Sequence, residues 1–295
     1  MRSTIEKALQ KQREAQALKK QQSVSTPPDS AVAKPQTERA PVAPVRVSET
    51  EPFDIDFQRL TENGLVTMDG GRTAINEEYR EIKRKLIKNA FGPLSKTLNN
   101  SNIIMVTSAR PSEGKTFTAV NLALSIASEQ DKTVLLVDAD VLKPNVLNTF
   151  GLEGRKGIVE YLTGEVDDIA DVLYPTNADK LKIIPAGKSH HSTTELLASR
   201  KMHNTVDEFA NRYPDRIVII DTPPLIGINE TAILANFAGQ AVVVVEEGKS
   251  KLSDIRHSVD RLSSNMAIGF VVNKSIVSDP EGAGYYGYYY AEDQD

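Results

Sequence analysis

Ile103-Ile-Met-Val-Thr-Ser-Ala-Arg-Pro-Ser-Glu-Gly-Lys-Thr116 decides the fold. Its first four residues are apolar and mostly β-branched, which suits a short strand covered on both faces. A loop rich in small and polar residues follows, and Thr116–Ser128 is then long and apolar enough for a buried helix. The ending Gly114-Lys115-Thr116 matches the second half of a phosphate-binding loop in the strand–loop–helix setting that such a loop requires. Gly114 allows close approach of backbone to an anion, and the free N–H groups of the helix start form a cradle. Lys115 can reach the outer phosphates of a nucleotide, and the Thr116 hydroxyl can ligate magnesium. Ala109 stands where the common pattern has its first glycine.

Working outward, further short apolar runs alternate with helix-length segments. They are Val134–Val137, Ile183–Ile184, Ile217–Ile220, Ala241–Val245 and Gly269–Val272, with helices expected over 76–90, Thr194–Ala210 and Leu252–Ser263. This alternation predicts an α/β fold with a doubly wound, mostly parallel sheet of the P-loop NTPase type. Ligands of such sheets bind beyond the carboxyl ends of the strands. Asp138 and Asp140 end the second strand and Asp221 ends another, so three carboxylates face the Gly-Lys-Thr loop. That combination fits a magnesium–nucleotide site, with carboxylates to hold the ion and to accept a proton. Asn273 ends the last strand, where its amide can read an adenine edge.

The composition narrows the rest. The 295 residues contain no Cys, which excludes disulfides, thiolate metal sites and a Cys nucleophile. The four His lack zinc-type spacing, and the net charge of −5 makes no case for nucleic acid. Residues 1–21 read as an amphipathic helix, with a Ser3/Glu6 capping box and Ile5, Ala8, Leu9, Ala15 and Leu18 near one face. Residues 22–52 form a Pro-rich linker, expected to be a disordered tether. The main domain is expected over 53–280. No apolar run is long enough to span a bilayer, so the chain is expected to be cytoplasmic. Residues 281–295 form a tail holding five of the nine tyrosines, Tyr285, Tyr286, Tyr288, Tyr289 and Tyr290, in a Gly-rich, acidic setting that is also expected to be disordered.

Together, Ser108–Thr116, Val134–Asp140, Ile217–Pro224 and the Tyr cluster resemble the bacterial tyrosine kinases. These are autokinases that accompany capsule and exopolysaccharide assembly, within the deviant P-loop ATPase group that includes partition and cell-division-site ATPases. The opening Ser3–Ala8 resembles the subgroup linked to exopolysaccharide operons. The resemblance implies ATP and Mg2+ as cofactors. It implies a nucleotide-binding stretch of Ser112, Glu113, Gly114, Lys115, Thr116 and Phe117, with Asn273, and metal binding by Thr116, Asp138 and Asp221. Lys115, Asp138, Asp140 and Asp221 are then the catalytic set, Asp138 being favoured as base. The five tail tyrosines are the implied phosphosites, modified between subunits. Each phosphate would add roughly −1.5 to −2 charges and drive an assembled ring apart.

The family's Glu-x-x-Arg-x-x-Arg assembly helix is matched by Glu77, Arg80 and Lys83, with Lys in the last place. A homo-oligomeric ring is therefore implied, weakened by loss of the bidentate fork. Implied partners are a membrane polysaccharide co-polymerase on a separate chain, as activator, and a cognate protein-tyrosine phosphatase. Through the former the chain would sit peripherally at the inner membrane. Arg110 stands where partition ATPases carry their signature Lys, Lys143 is the basic residue after the second motif, and Glu230 replaces a frequent Asp. A partition-like ATPase switch and a nucleotide-dependent assembly scaffold are the alternative readings.

Overall fold

Continuous apolar strands need cover on both faces, and the chain supplies it with helices on either side of one sheet. The structure, a computed structural model, describes residues 50–68 and 73–275. The expected N-terminal helix, nearly all of the linker and the tyrosine tail lie outside the described residues. The elements are α1 (Phe57–Glu62), α2 (Ala74–Phe91), β1 (Ile103–Ser108), α3 (Lys115–Ala127), β2 (Thr133–Asp138), α4 (Val146–Phe150) and α5 (Ile158–Thr163), then β3 (Tyr174–Pro175), β4 (Leu181–Ile184), α6 (Thr193–Leu197), α7 (Arg200–Asn211), β5 (Arg216–Asp221), α8 (Asn229–Ala235), β6 (Gln240–Glu246), α9 (Leu252–Val259) and β7 (Ala267–Asn273).

The sheet order is β3-β4-β2-β5-β1-β6-β7. Every neighbouring pair is parallel except the two-residue β3, which runs antiparallel to β4. The chain leaves β1 toward β2 on one side and later reaches β6 on the other, so β1 ends at the topological switch point. Strands β1, β5 and β6 are buried along their whole length. Each fully buried Val, Leu or Ile side chain contributes roughly 1.5–3 kcal/mol relative to exposure. On the edge strand β7, by contrast, Phe270 and Val272 are 52% and 60% exposed.

All six expected strands are present. The single helix expected over Thr194–Ala210 is instead two, α6 and α7. The break has a capping cause: the Ser199 side chain accepts from the Met202 amide and starts a new helix. Thr50 and Glu51, inside the stretch expected as linker, already bond to the domain, the Thr50 hydroxyl donating to the Leu173 carbonyl at 3.0 Å and the Glu51 carbonyl accepting from Arg155.

Helix α3 is buried on nearly all sides, as its Ala/Leu/Val composition requires. Helix α2 lies against it, and the contact is pinned by a residue expected elsewhere. Lys83 is 6% exposed. Its ammonium donates to the Ser125 carbonyl at 2.8 Å and the Ser128 hydroxyl at 3.3 Å, and pairs with Glu129 at 2.6 Å. It therefore caps the C-terminus of α3, where carbonyls lack helical partners and a cation is favoured. Lys83, expected at an oligomer contact, thus has its ammonium turned inward to the end of α3 in this structure. Glu77 and Arg80 pair with each other and stay partly exposed.

Buried Gln240 anchors α2 to the sheet. Its amide donates to the Leu86 carbonyl at 3.1 Å and the Ser101 carbonyl at 2.7 Å, while its oxygen accepts from Asn89 at 3.1 Å. Gln240→Leu leaves those groups unmatched and is expected to cost about 2 kcal/mol. The check is urea unfolding, with a lower midpoint at unchanged slope; an unchanged midpoint would mean the anchor carries no stability.

Candidate active site

The loop from β1 to α3 is shaped by two residues in the left-handed region, Ser112 at φ 68° and Gly114 at φ 101°. A Cβ at Gly114 would fall 1.9 Å from the Asn273 amide nitrogen, so glycine is required by conformation and by space. The first amides of α3 follow at once and have no partner within the helix. Phe117, in the first turn, packs against the core. The Glu113 side chain, 4% exposed, is spent inside the loop: it accepts from the Arg110 amide at 2.8 Å and from the Ser250 hydroxyl.

Strand register brings the acidic residues to this loop. Asp138 and Asp221 are direct neighbours across β2 and β5. Strand β5 also adjoins β1, which places Asp221 between Asp138 and the loop. The Thr107 hydroxyl donates to the Pro223 carbonyl at 2.9 Å and the Thr222 hydroxyl to the Val106 carbonyl at 3.0 Å, tying the two strand ends together. The Thr116 hydroxyl donates to Asp221 Oδ2 at 2.7 Å. Lys115 Nζ sits 2.5 Å from Asp140 Oδ2. Asp138 accepts from the Asp140 amide at 3.2 Å, the Asn145 amide at 3.1 Å and the Val146 amide at 3.0 Å, so it also caps the start of α4. Asp140 Oδ1 accepts from the Lys143 amide at 3.1 Å.

Electrostatically the site is short of positive charge. Burial pushes the Asp138 carboxyl up to about 8, with the Asp221 charge beside it adding to the effect. Burial likewise raises Asp221 to about 6, opposed by Lys115 and Thr116. Burial pulls the Lys115 ammonium down, but Asp221 and Asp140 outweigh it and hold its pKa above the ordinary lysine value. Asp221 Oδ1 is buried with no hydrogen-bond partner among the described residues. An orphaned carboxylate oxygen beside a hydroxyl and a second carboxylate suits a divalent cation of the magnesium kind. Such an ion takes one or two protein carboxylates and fills its remaining positions with phosphate and water.

Thus Ser112, Glu113, Gly114, Lys115, Thr116, Phe117, Asp138, Asp140 and Asp221 come together at one sheet edge. Asn273 joins them too, its amide donating to the Glu113 carbonyl at 2.9 Å. Arg110 lies outside the cradle, its Nε 2.6 Å from Asp254 on α9. Glu230 accepts from the Thr194 hydroxyl. The five tail tyrosines are outside the described residues. A brace around the loop, formed by Glu246, Ser250, Asp254 and Lys274, has no counterpart among the sequence expectations. Only the place of Lys274, directly after a strand-end Asn, hints at it.

The AAA domain family matches residues 101–265, more than half of the chain. The chain is 30% identical over 228 residues to the tyrosine-protein kinase YwqD of Bacillus subtilis, covering 77% of this chain and 92% of that protein. It is 32% identical over 195 residues to the tyrosine-protein kinase wzc of Salmonella typhimurium, covering 66% of this chain but 27% of that longer protein. Among solved structures it is similar to the chimerical protein CapA2B2, with TM-score 0.63 and 25% identity over 76% of this chain and 93% of that one. The kinase domain of Escherichia coli tyrosine kinase ETK shares the fold, with TM-score 0.61 and 23% identity over 77% of this chain and 92% of that one.

Raised carboxyl pKa values make a stability prediction whose sign is fixed. The folded chain holds the Asp138 and Asp221 protons more tightly than the unfolded chain, where Asp titrates near ~3.9. Their contribution is full below that value and is lost as pH rises through about 6 for Asp221 and about 8 for Asp138. The thermal midpoint of the nucleotide-free protein is expected to fall between roughly pH 5 and pH 8.5. Asp138→Asn should flatten that fall. A parent midpoint that climbs across the range would refute the assignment.

Proposed function

The chain belongs to the bacterial tyrosine kinases, and from that premise we propose that it transfers the γ-phosphoryl group of ATP to the tyrosines of its own C-terminal cluster. The observation that carries the reading is the bonded set at the head of α3. Lys115 meets Asp140, and Thr116 meets Asp221, which abuts Asp138.

Each residue then has a chemical task. The amides at the head of α3 bind phosphate oxygens, and Lys115 exchanges its Asp140 partner for the β- and γ-phosphates. Thr116 and Asp221, with Asp138 adjacent, would hold Mg2+, whose charge would neutralise the phosphates and steady the transferring group. An incoming phenol gives its proton to Asp138 as its oxygen bonds to the γ-phosphorus, and the bond from that phosphorus to the bridging oxygen breaks to release ADP. A carboxylate whose affinity for the proton is raised by burial is matched to that task near neutral pH.

The acceptors are Tyr285, Tyr286, Tyr288, Tyr289 and Tyr290 of a neighbouring subunit. Glu77 and Arg80, partly exposed on α2, are the remaining candidates for the contact that brings subunits together. The proposed context is regulation of capsule or exopolysaccharide polymerisation and export, with a membrane co-polymerase as activator and a phosphatase as antagonist. Among the described residues no helix is long and apolar enough to cross a membrane. The co-polymerase is the proposed source of placement at the inner membrane.

The test is incubation of the purified chain with labelled ATP and magnesium, followed by peptide mapping. Label is expected on the tail tyrosines. Lys115→Met should reduce it at least about 100-fold, as expected for loss of a group that stabilises the transferring phosphate. Changing all five tail tyrosines to Phe should abolish it while nucleotide binding persists. Label surviving either change would sink the proposal. Adding the cytosolic segment of the co-polymerase should raise the rate.

A further inference from the structure

Three non-glycine residues among those described have positive φ: Asn100, Ser112 and Lys274. Two of them are joined by one hydrogen bond, the Lys274 ammonium donating to the Ser112 carbonyl at 2.7 Å. A left-handed lysine is uncommon and unfavourable, and such strain persists where the surroundings hold it. Here it turns the chain at the end of β7 so that the side chain comes back over the phosphate loop. Next to it, Asn273 donates to the following loop carbonyl, that of Glu113, at 2.9 Å. Two successive carbonyls of the loop are thus gripped from β7.

A planar trans peptide fixes what that grip does, because each carbonyl points opposite to the N–H of the next residue. With the Ser112 and Glu113 carbonyls drawn toward β7, the Glu113 and Gly114 N–H groups are turned the other way, away from the strand that holds them. These are the amides that lead into the anion cradle at the head of α3. We propose that Lys274 and Asn273 are positioning residues that set the direction of the cradle amides. The proposal rests on the nucleotide reading given above.

The grip is itself braced. Lys274 also pairs with Glu246 Oε2 at 3.0 Å, and Lys249 holds Glu246 Oε1 at 2.5 Å. These two cations keep the Glu246 carboxyl below its usual range. Ser250, four residues along, donates to the buried Glu113 side chain, so the β6–α9 connection and the end of β7 both act on Glu113. Gly114 completes the fit, since only a residue without Cβ leaves room for the Asn273 amide.

Binding of two probes by calorimetry separates this role from base recognition. Inorganic pyrophosphate carries the phosphates without a base, and ADP carries both. Asn273→Ala and Lys274→Met are each expected to weaken pyrophosphate and ADP alike, by about tenfold, with the melting temperature of the nucleotide-free protein unchanged. Lys274→Arg should recover most of the loss. If Asn273→Ala weakens ADP and spares pyrophosphate, Asn273 reads the base and the proposal fails for it. Variants that bind both probes like the parent overturn the proposal and leave the kinase reading intact. A parent that binds neither probe overturns the nucleotide reading and the proposal with it. A fall in the nucleotide-free melting temperature that Lys274→Arg does not repair would reduce Lys274 to a structural support.

Discussion

Three carboxylates buried at one sheet edge face a single buried ammonium, and the rest of the molecule is arranged around that imbalance. Asp138, Asp140 and Asp221 are each at most 3% exposed, and Lys115 is 9% exposed. Burying uncompensated carboxylates is strongly unfavourable, and proteins relieve it by protonation, by pairing or by a bound cation. The first two reliefs are visible in part. The pKa values of two carboxyls rise, Lys115 takes one oxygen of Asp140, and backbone amides of residues 140, 145 and 146 satisfy Asp138. Asp221 Oδ1 is left over. A site so short of positive charge is one that a bound cation would relieve.

This imbalance is tolerable because it is confined to the carboxyl ends of otherwise apolar strands. β2 and β5 are in register through six pairs that end in Asp138 opposite Asp221. A slip by one residue would part these two and turn every buried side chain of the strand to the other face. Core packing and active-site geometry are therefore set by the same register. The apolar runs that make the sheet foldable also deliver the acids to their places.

That dependence explains why the fold and the central site are legible in the amino-acid sequence. Parallel strands announce themselves as uninterrupted β-branched runs, and the Gly-Lys-Thr loop and strand-end aspartates carry local signals. Short elements carry none. β3 is two residues long, and α4, α5 and α1 are five or six, too short for periodicity to register. The stretch 194–210 reads as one continuous helix because Ser199 looks no different as a cap than as an interior residue. Lys83 is hidden for a related reason: a lysine in a charged helix looks solvated, and only packing against the end of α3 shows its ammonium buried.

The brace around the phosphate loop is illegible on different grounds. Its contacts join residues far apart in sequence, such as Glu113 with Ser250 and Ser112 with Lys274. No motif spacing encodes such pairings, since they exist only once β6 and β7 are laid beside β1. β7 lies at the sheet edge with an open face, yet its last residues are held firmly to the loop, so its contribution lies at its end and not in its middle. Exposed Phe270 and Val272 add little to the core, whereas Asn273 and Lys274 reach the carbonyls of the phosphate loop. An edge strand that matters mainly for what its terminus touches follows the same rule as the inner strands. In this fold the sheet is a frame, and chemistry is delivered by the residue at which each strand stops.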